Sequence, residues 1–214
     1  MRAGLAAVLV ALVALQAATG AVQTPVDDAA IDAALTLARV SSDTARARFH
    51  DAYRLIAARA PVDYLEVVSP FRRIVIAAQQ RAAAGDRSFG QRQALEILGK
   101  AGGQIDVYVE MTFNPLNTYI GVPEYEVVLA GRGNTRVGAR SIDRLSRWTP
   151  RVDGLPAAVP SGGGSGPPRG PLVGATLIAR FDLQSLDPEG SYDVVISERG
   201  DVLAAVRLDL SRLR

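Results

Sequence analysis

The sequence predicts an α+β protein in which a helical N-terminal region packs on a C-terminal antiparallel β-sandwich. Three observations predict it. Apolar residues recur at helical spacing through most of residues 22–102. From Gln104 the hydrophobic period changes to two, with Ile105, Val107, Val109, Met111 and Phe113 alternating with Asp106, Tyr108, Glu110 and Thr112. Short β-rich runs separated by turn residues then fill residues 103–214.

The chain opens with Arg2, an uncharged apolar run at residues 5–15 and the small residues Ala17, Ala18, Thr19, Gly20 and Ala21. A run of this length falls short of the roughly 20 residues needed to span a bilayer, and its small-residue end suits signal peptidase. Residues 1–21 are therefore expected to be a secretory signal peptide, cut after Gly20 or Ala21. No Cys follows the run, which excludes lipid attachment there. No later segment is long and apolar enough to span a membrane, so an exported protein, periplasmic or extracellular, is expected.

Asp27 and Asp28 precede a helical pattern carrying Ile31, Leu35 and Ala38, and acids at a helix start suit the positive end of its dipole. Ser42 and Asp43 would cap a second helix through residues 44–56. Pro61 interrupts the pattern, and residues 62–68 (VDYLEVV) read as a short strand. Ser69-Pro70 starts a helix stopped by Gly85. Residues 90–102 form a further helix between Gly90 and Gly99 or Gly102. Strands are expected at 104–113, 125–131, more weakly at 135–142, then at 174–183, 191–197 and 202–210. The last two are joined by a turn at residues 198–201. Residues 154–171 (GLPAAVPSGGGSGPPRGP) have no periodicity and read as a flexible loop inside the β domain.

Leu186, Asp187, Pro188, Glu189, Gly190, Ser191 and Tyr192 run directly into the penultimate strand. A Leu, then Pro and Gly, then Tyr at that place resembles the tyrosine corner of immunoglobulin-like and fibronectin-type-III-like sandwiches. The resemblance covers residues 176–210 and implies an immunoglobulin-like sandwich of six or seven strands; it carries no function. The chain departs from immunoglobulin domains proper by having Val194 where they carry Cys.

Composition excludes several chemistries. There is no Cys, and His50 is the only His, so Cys/His zinc sites and multi-histidine centres are ruled out. Phosphate-cradling loops of the G-x-x-x-x-G-K-[ST] and G-x-G-x-x-G kinds are missing, as is the nucleophile elbow G-x-S-x-G. No cofactor is expected. Losing Arg2 with the leader leaves 23 basic against 22 acidic residues, a net charge of +1 that argues against nucleic-acid binding. All the basic residues but Lys100 are Arg, so Arg frequency reads as codon usage.

Two segments stand out. Arg132, Arg136, Arg140, Arg144, Arg147 and Arg151, with Trp148 and Arg169, would make a basic surface if they share a face. Turns at Gly133 and Gly138 would instead scatter them. Residues 114–126 carry Tyr119 and Ile120 between Pro115 and Pro123, with Tyr125 just beyond. They would form a binding loop at one end of the sandwich or lock the helical front onto the sheet, and their apolar character favours the second. Arg136, Arg140, Arg144, Trp148, Tyr119 and Tyr125 are the candidate binding surface. Catalytic and metal-ligating residues are not assigned; Glu66, Glu110, Glu124 and Glu126 are acids without a distinctive motif. The expectation is a non-enzymatic exported protein of the bacterial envelope, an interaction or structural module with a protein or envelope-glycan partner. The alternative is a carbohydrate-binding or carbohydrate-active protein.

Overall fold

The computed structural model describes residues 22, 26–40, 42–86, 88–150 and 169–214. The expected signal peptide and most of the Gly/Pro segment, residues 151–168, lie outside the described residues.

Helix α1 (Asp28–Ala38) starts where its charge pattern predicts, with the Asp27 carboxylate accepting the Ala30 N–H at 2.7 Å. Its Ile31, Ala34, Leu35 and Ala38 are buried. Helix α2 (Asp43–Asp51) is capped by Ser42 and ends sooner than expected. Residues 54–56 do not continue it. They open strand β1 (Arg54–Arg59), which forms an antiparallel hairpin with β2 (Val62–Val68). Burial of Tyr53 and Ala57 in the sandwich core outweighs the local helical preference. Helix α3 (Pro70–Ala83) has Ser69 as its cap and Pro70 in its first turn. Helix α4 (Gln91–Ala101) is closed by Gly102, whose φ of 61° favours a residue without Cβ. Helices α1, α3 and α4 share a core built on Ile31, Leu35, Phe71, Ile74, Val75 and Ala94.

The period-two segment is β3 (Gln104–Thr112), with Ile105, Val107, Val109 and Met111 fully buried. It is followed by β4 (Tyr125–Ala130), β5 (Arg136–Gly138), β6 (Ser141–Pro150), β7 (Arg169–Asp182), β8 (Ser191–Glu198) and β9 (Asp201–Asp209). The weak strand expected at 135–142 is two strands, β5 and β6, because the chain crosses between sheets at Ala139 and Arg140. Residues 169–171, read as the end of the loop, belong to β7, where Arg169 pairs with Pro150.

One sheet runs β1-β2-β3-β7-β6 and the other β5-β4-β8-β9, every pairing antiparallel. Strands β2-β3-β7-β6 facing β5-β4-β8-β9 reproduce the A-B-E-D and C′-C-F-G order of an immunoglobulin-like sandwich. Here β1 extends the first sheet, and α3 and α4 are inserted between the first two sandwich strands. The described strands number nine because β1 and β2 come from the mainly helical region. The tyrosine corner is present: the Asp187 N–H donates to the Tyr192 hydroxyl at 2.7 Å. The helices sit at the end of the sandwich where β2 stops and β3 begins. Phe49 joins the two cores, 5.1 Å from the Tyr53 ring and 6.2 Å from Phe71.

Candidate functional site

Two places concentrate unusual chemistry, one at each end of the sandwich. At the helical end, the first turn of α3 presents Arg72 and Arg73, cations where the helix dipole favours acids. Partners from the sheet compensate them. Arg72, only 2 % exposed, pairs with Glu66 on β2 and donates through Nη1 to the Val67 carbonyl at 2.6 Å. Its guanidinium stacks 4.9 Å from the Tyr53 ring centre, and its Nε lies 3.4 Å from His50 Nδ1. Arg72 can only donate, so His50 Nδ1 is the acceptor and Nε2 carries the proton that Gln79 Oε1 receives at 2.9 Å. Arg73 reaches Asp106 on β3 at 3.0 Å, and the Asp106 side chain is only 4 % exposed. The Tyr53 and Ser69 hydroxyls both donate to the Arg214 carbonyl, tying the last described residue to the same junction.

These groups hold the helical layer on the sheet; each carboxylate faces a guanidinium. Further along the sheet's outer face Glu110 pairs with Arg147 and accepts from Thr176, and Asp143 pairs with Arg180. Residue spacing alone does not join Arg72 to Glu66 or Arg73 to Asp106. The legible signal was the pair of arginines in a helix first turn without an acid beside them.

Burial also marks three phenols. Desolvation raises Tyr53 and Tyr108 above the ordinary tyrosine value, with the Asp106 charge adding to Tyr108. Tyr125 is pushed up further, by burial first and then by Tyr119 and Glu198. A raised folded-state value stabilises the fold below pH about 10, and that contribution is lost as pH rises through the folded-state values. Phenolate absorbance followed from about pH 8 to about 12 should fall short of the chain's six tyrosines until the fold opens, because Tyr53, Tyr108 and Tyr125 hold their protons. Six tyrosines titrating together with circular dichroism unchanged would contradict this.

At the opposite end, residues 113–124 link β3 to β4. Nine residues of β3 carry the chain roughly 30 Å from the helices, so this loop does not lock the helical front onto the sheet as expected. It is braced internally. Asn114 Oδ1 accepts the Leu116 N–H at 2.8 Å, Asn117 Oδ1 accepts the Tyr119 N–H at 3.0 Å, and Asn117 Nδ2 donates to the Leu172 carbonyl at 2.8 Å. Tyr119 leans edge-on against Phe113 at 5.2 Å. The bracing leaves Leu116 88 % and Ile120 98 % exposed.

The sequence-predicted surface residues divide. Tyr119, Tyr125 and Trp148 lie toward this loop end, but Tyr125 is buried in the core and Trp148 is half-buried, its Nε1 donating to Ser146 at 2.8 Å. Arg144 reaches the same region and donates to the Tyr125 carbonyl at 3.2 Å. Arg136 faces outward on β5, and Arg140 sits in the crossover between sheets. Arg132 lines a polar cleft with Asp187 and Glu189 beside the tyrosine corner, and Arg151 lies outside the described residues. The regular spacing of the series does not survive the crossover, which distributes it over several surfaces. Among the described residues no group of three or more His, Cys, Asp or Glu is placed to hold a metal ion, and no helix is long and apolar enough to cross a membrane. Compared with known proteins, the chain matches no family model, no curated protein and no solved structure.

Proposed function

We propose that this chain is a non-enzymatic, exported interaction module of the bacterial envelope, and that the β3–β4 loop end of its sandwich contacts a protein partner. One observation carries the reading: Leu116 and Ile120 are held in water on a loop whose backbone is pinned by two asparagines. Exposing two aliphatic side chains has no benefit to the isolated fold, whereas a pre-shaped loop lowers the ordering entropy of binding. Export rests on the residue pattern of positions 1–21. A photo-crosslinking residue at Ile120, expressed in the native host, should give one discrete protein adduct that disappears with Leu116→Asp. The same crosslinker at exposed Arg92 on α4 should give none. An Ile120 adduct indifferent to Leu116→Asp, or no adduct at all, would overturn the assignment. N-terminal sequencing of the exported form should begin at Ala21 or Val22. The glycan-binding alternative rests on the partly exposed Tyr119 at the same end; it requires retention on envelope glycans that Tyr119→Ala abolishes.

A further inference from the structure

The outer face of the four-stranded sheet is ordered by charge. Cross-strand pairing sets Gly138, Val128, Val195 and Ala205 in one row across β5, β4, β8 and β9. The next row toward the tyrosine corner is Arg136, Ala130, Asp193 and Arg207, and the row on the other side is Glu126, Ser197 and Val202. Their strand neighbours Val127, Leu129, Val194, Ile196, Ala204 and Leu208 are buried, so alternation turns the first two rows outward; Glu126 and Val202 of the third are exposed too, while Ser197, beside the β-bulge of β8, is buried. The middle row has no side chain larger than Val. The Arg136 row carries one net positive charge, since Asp193 offsets Arg207 at 3.3 Å, and the Glu126 row carries one negative charge. Neither Arg136 nor Glu126 forms an ion pair among the described residues.

We infer that this face is the interface of a two-fold dimer of the chain. A dimer axis lying along the middle row, perpendicular to the strands, stacks the two apolar rows and lays the Arg136 row of each copy over the Glu126 row of the other. An axis along the strands would set Arg136 against Arg207 of the second copy, so like-charge repulsion selects the first arrangement. A flat row of small side chains permits the roughly 10 Å spacing of stacked sheets. Four strands about 4.8 Å apart give each copy a face of roughly 500 Å², which places the pair at the small end of specific interfaces. The two strand directions oppose, so the loop ends with Leu116 and Ile120 point away from each other and stay free. The inference does not depend on what those loops contact.

Sedimentation velocity of the purified protein from about 1 to about 500 µM should show a monomer–dimer equilibrium. Glu126→Arg and Arg136→Glu should each raise the dissociation constant at least about tenfold, and the double swap should restore it. Both positions are exposed, and unchanged circular dichroism melting would confirm that the variants are folded. A monomer at every concentration, a dimer unaffected by the single swaps, or a double swap that fails to restore association would each overturn the interface.

Discussion

Replacing Arg72 with Ala is expected to destabilise the protein by about 3 kcal/mol, because a buried ion pair loses the partner that neutralises it. In a chain of this size that lowers the melting temperature by roughly 6–12 °C. The guanidinium is almost wholly buried while the Glu66 side chain is 37 % exposed, so Glu66 recovers part of its hydration when left alone. This holds the cost to the lower part of the range for buried pairs. The remaining loss comes from the Val67 carbonyl, the His50 Nδ1 and the Tyr53 ring face, all of which Arg72 occupies. Arg72→Lys should not rescue, since a single ammonium cannot serve Glu66, Val67 and His50 in the geometry of the fork. Arg72→Met, which keeps the bulk, separates cavity formation from lost polar contacts. Thermal melts of the three variants test this, and a loss below about 1 kcal/mol for Arg72→Ala would mean that the junction does not depend on the guanidinium.

Gly174→Ala should cost about 3 kcal/mol, at the upper end of what overpacking usually does. Gly174 lies on β7 between Thr112 on β3 and Arg147 on the edge strand β6, at the last pair of the β3–β7 ladder. A Cβ there would stand closer than 3.0 Å to the Met111 carbonyl oxygen and to the Arg147 guanidinium. The guanidinium can swing away, though it then leaves Glu110 and the Met111 carbonyl. The backbone carbonyl cannot move without disturbing the β3–β7 ladder. Gly99→Ala on α4 is the counterpart: nothing lies within 4 Å of the added Cβ, and helix propensity should stabilise by about 0.5–1 kcal/mol. Equal effects at the two glycines in urea titrations would refute the steric argument.

Much of the architecture was legible because its signals are local. Ser69-Pro70 starts α3, alternation through residues 104–113 marks β3, and Tyr192 after Pro188 and Gly190 makes the corner bond. The errors fell where pairing partners lie far apart. Residues 54–56 look like the end of a helix until β2 is beside them, and residues 135–142 look like one strand until the second sheet draws Arg136–Gly138 away. The candidate site was less legible. Tyr119 and Tyr125 read alike as candidate surface residues, but Tyr119 is partly exposed while Tyr125 is in the core because strand alternation turns it inward.

The sequence by itself determined the α+β class, the position of most strands and the sandwich corner, since hydrophobic period and turn chemistry act over a few residues. Only the tertiary structure decided which charges meet, which loop stays exposed and which rows share a sheet face. Those depend on register between strands as much as 78 positions apart, as for Gln104 and Asp182, and no local pattern encodes that distance.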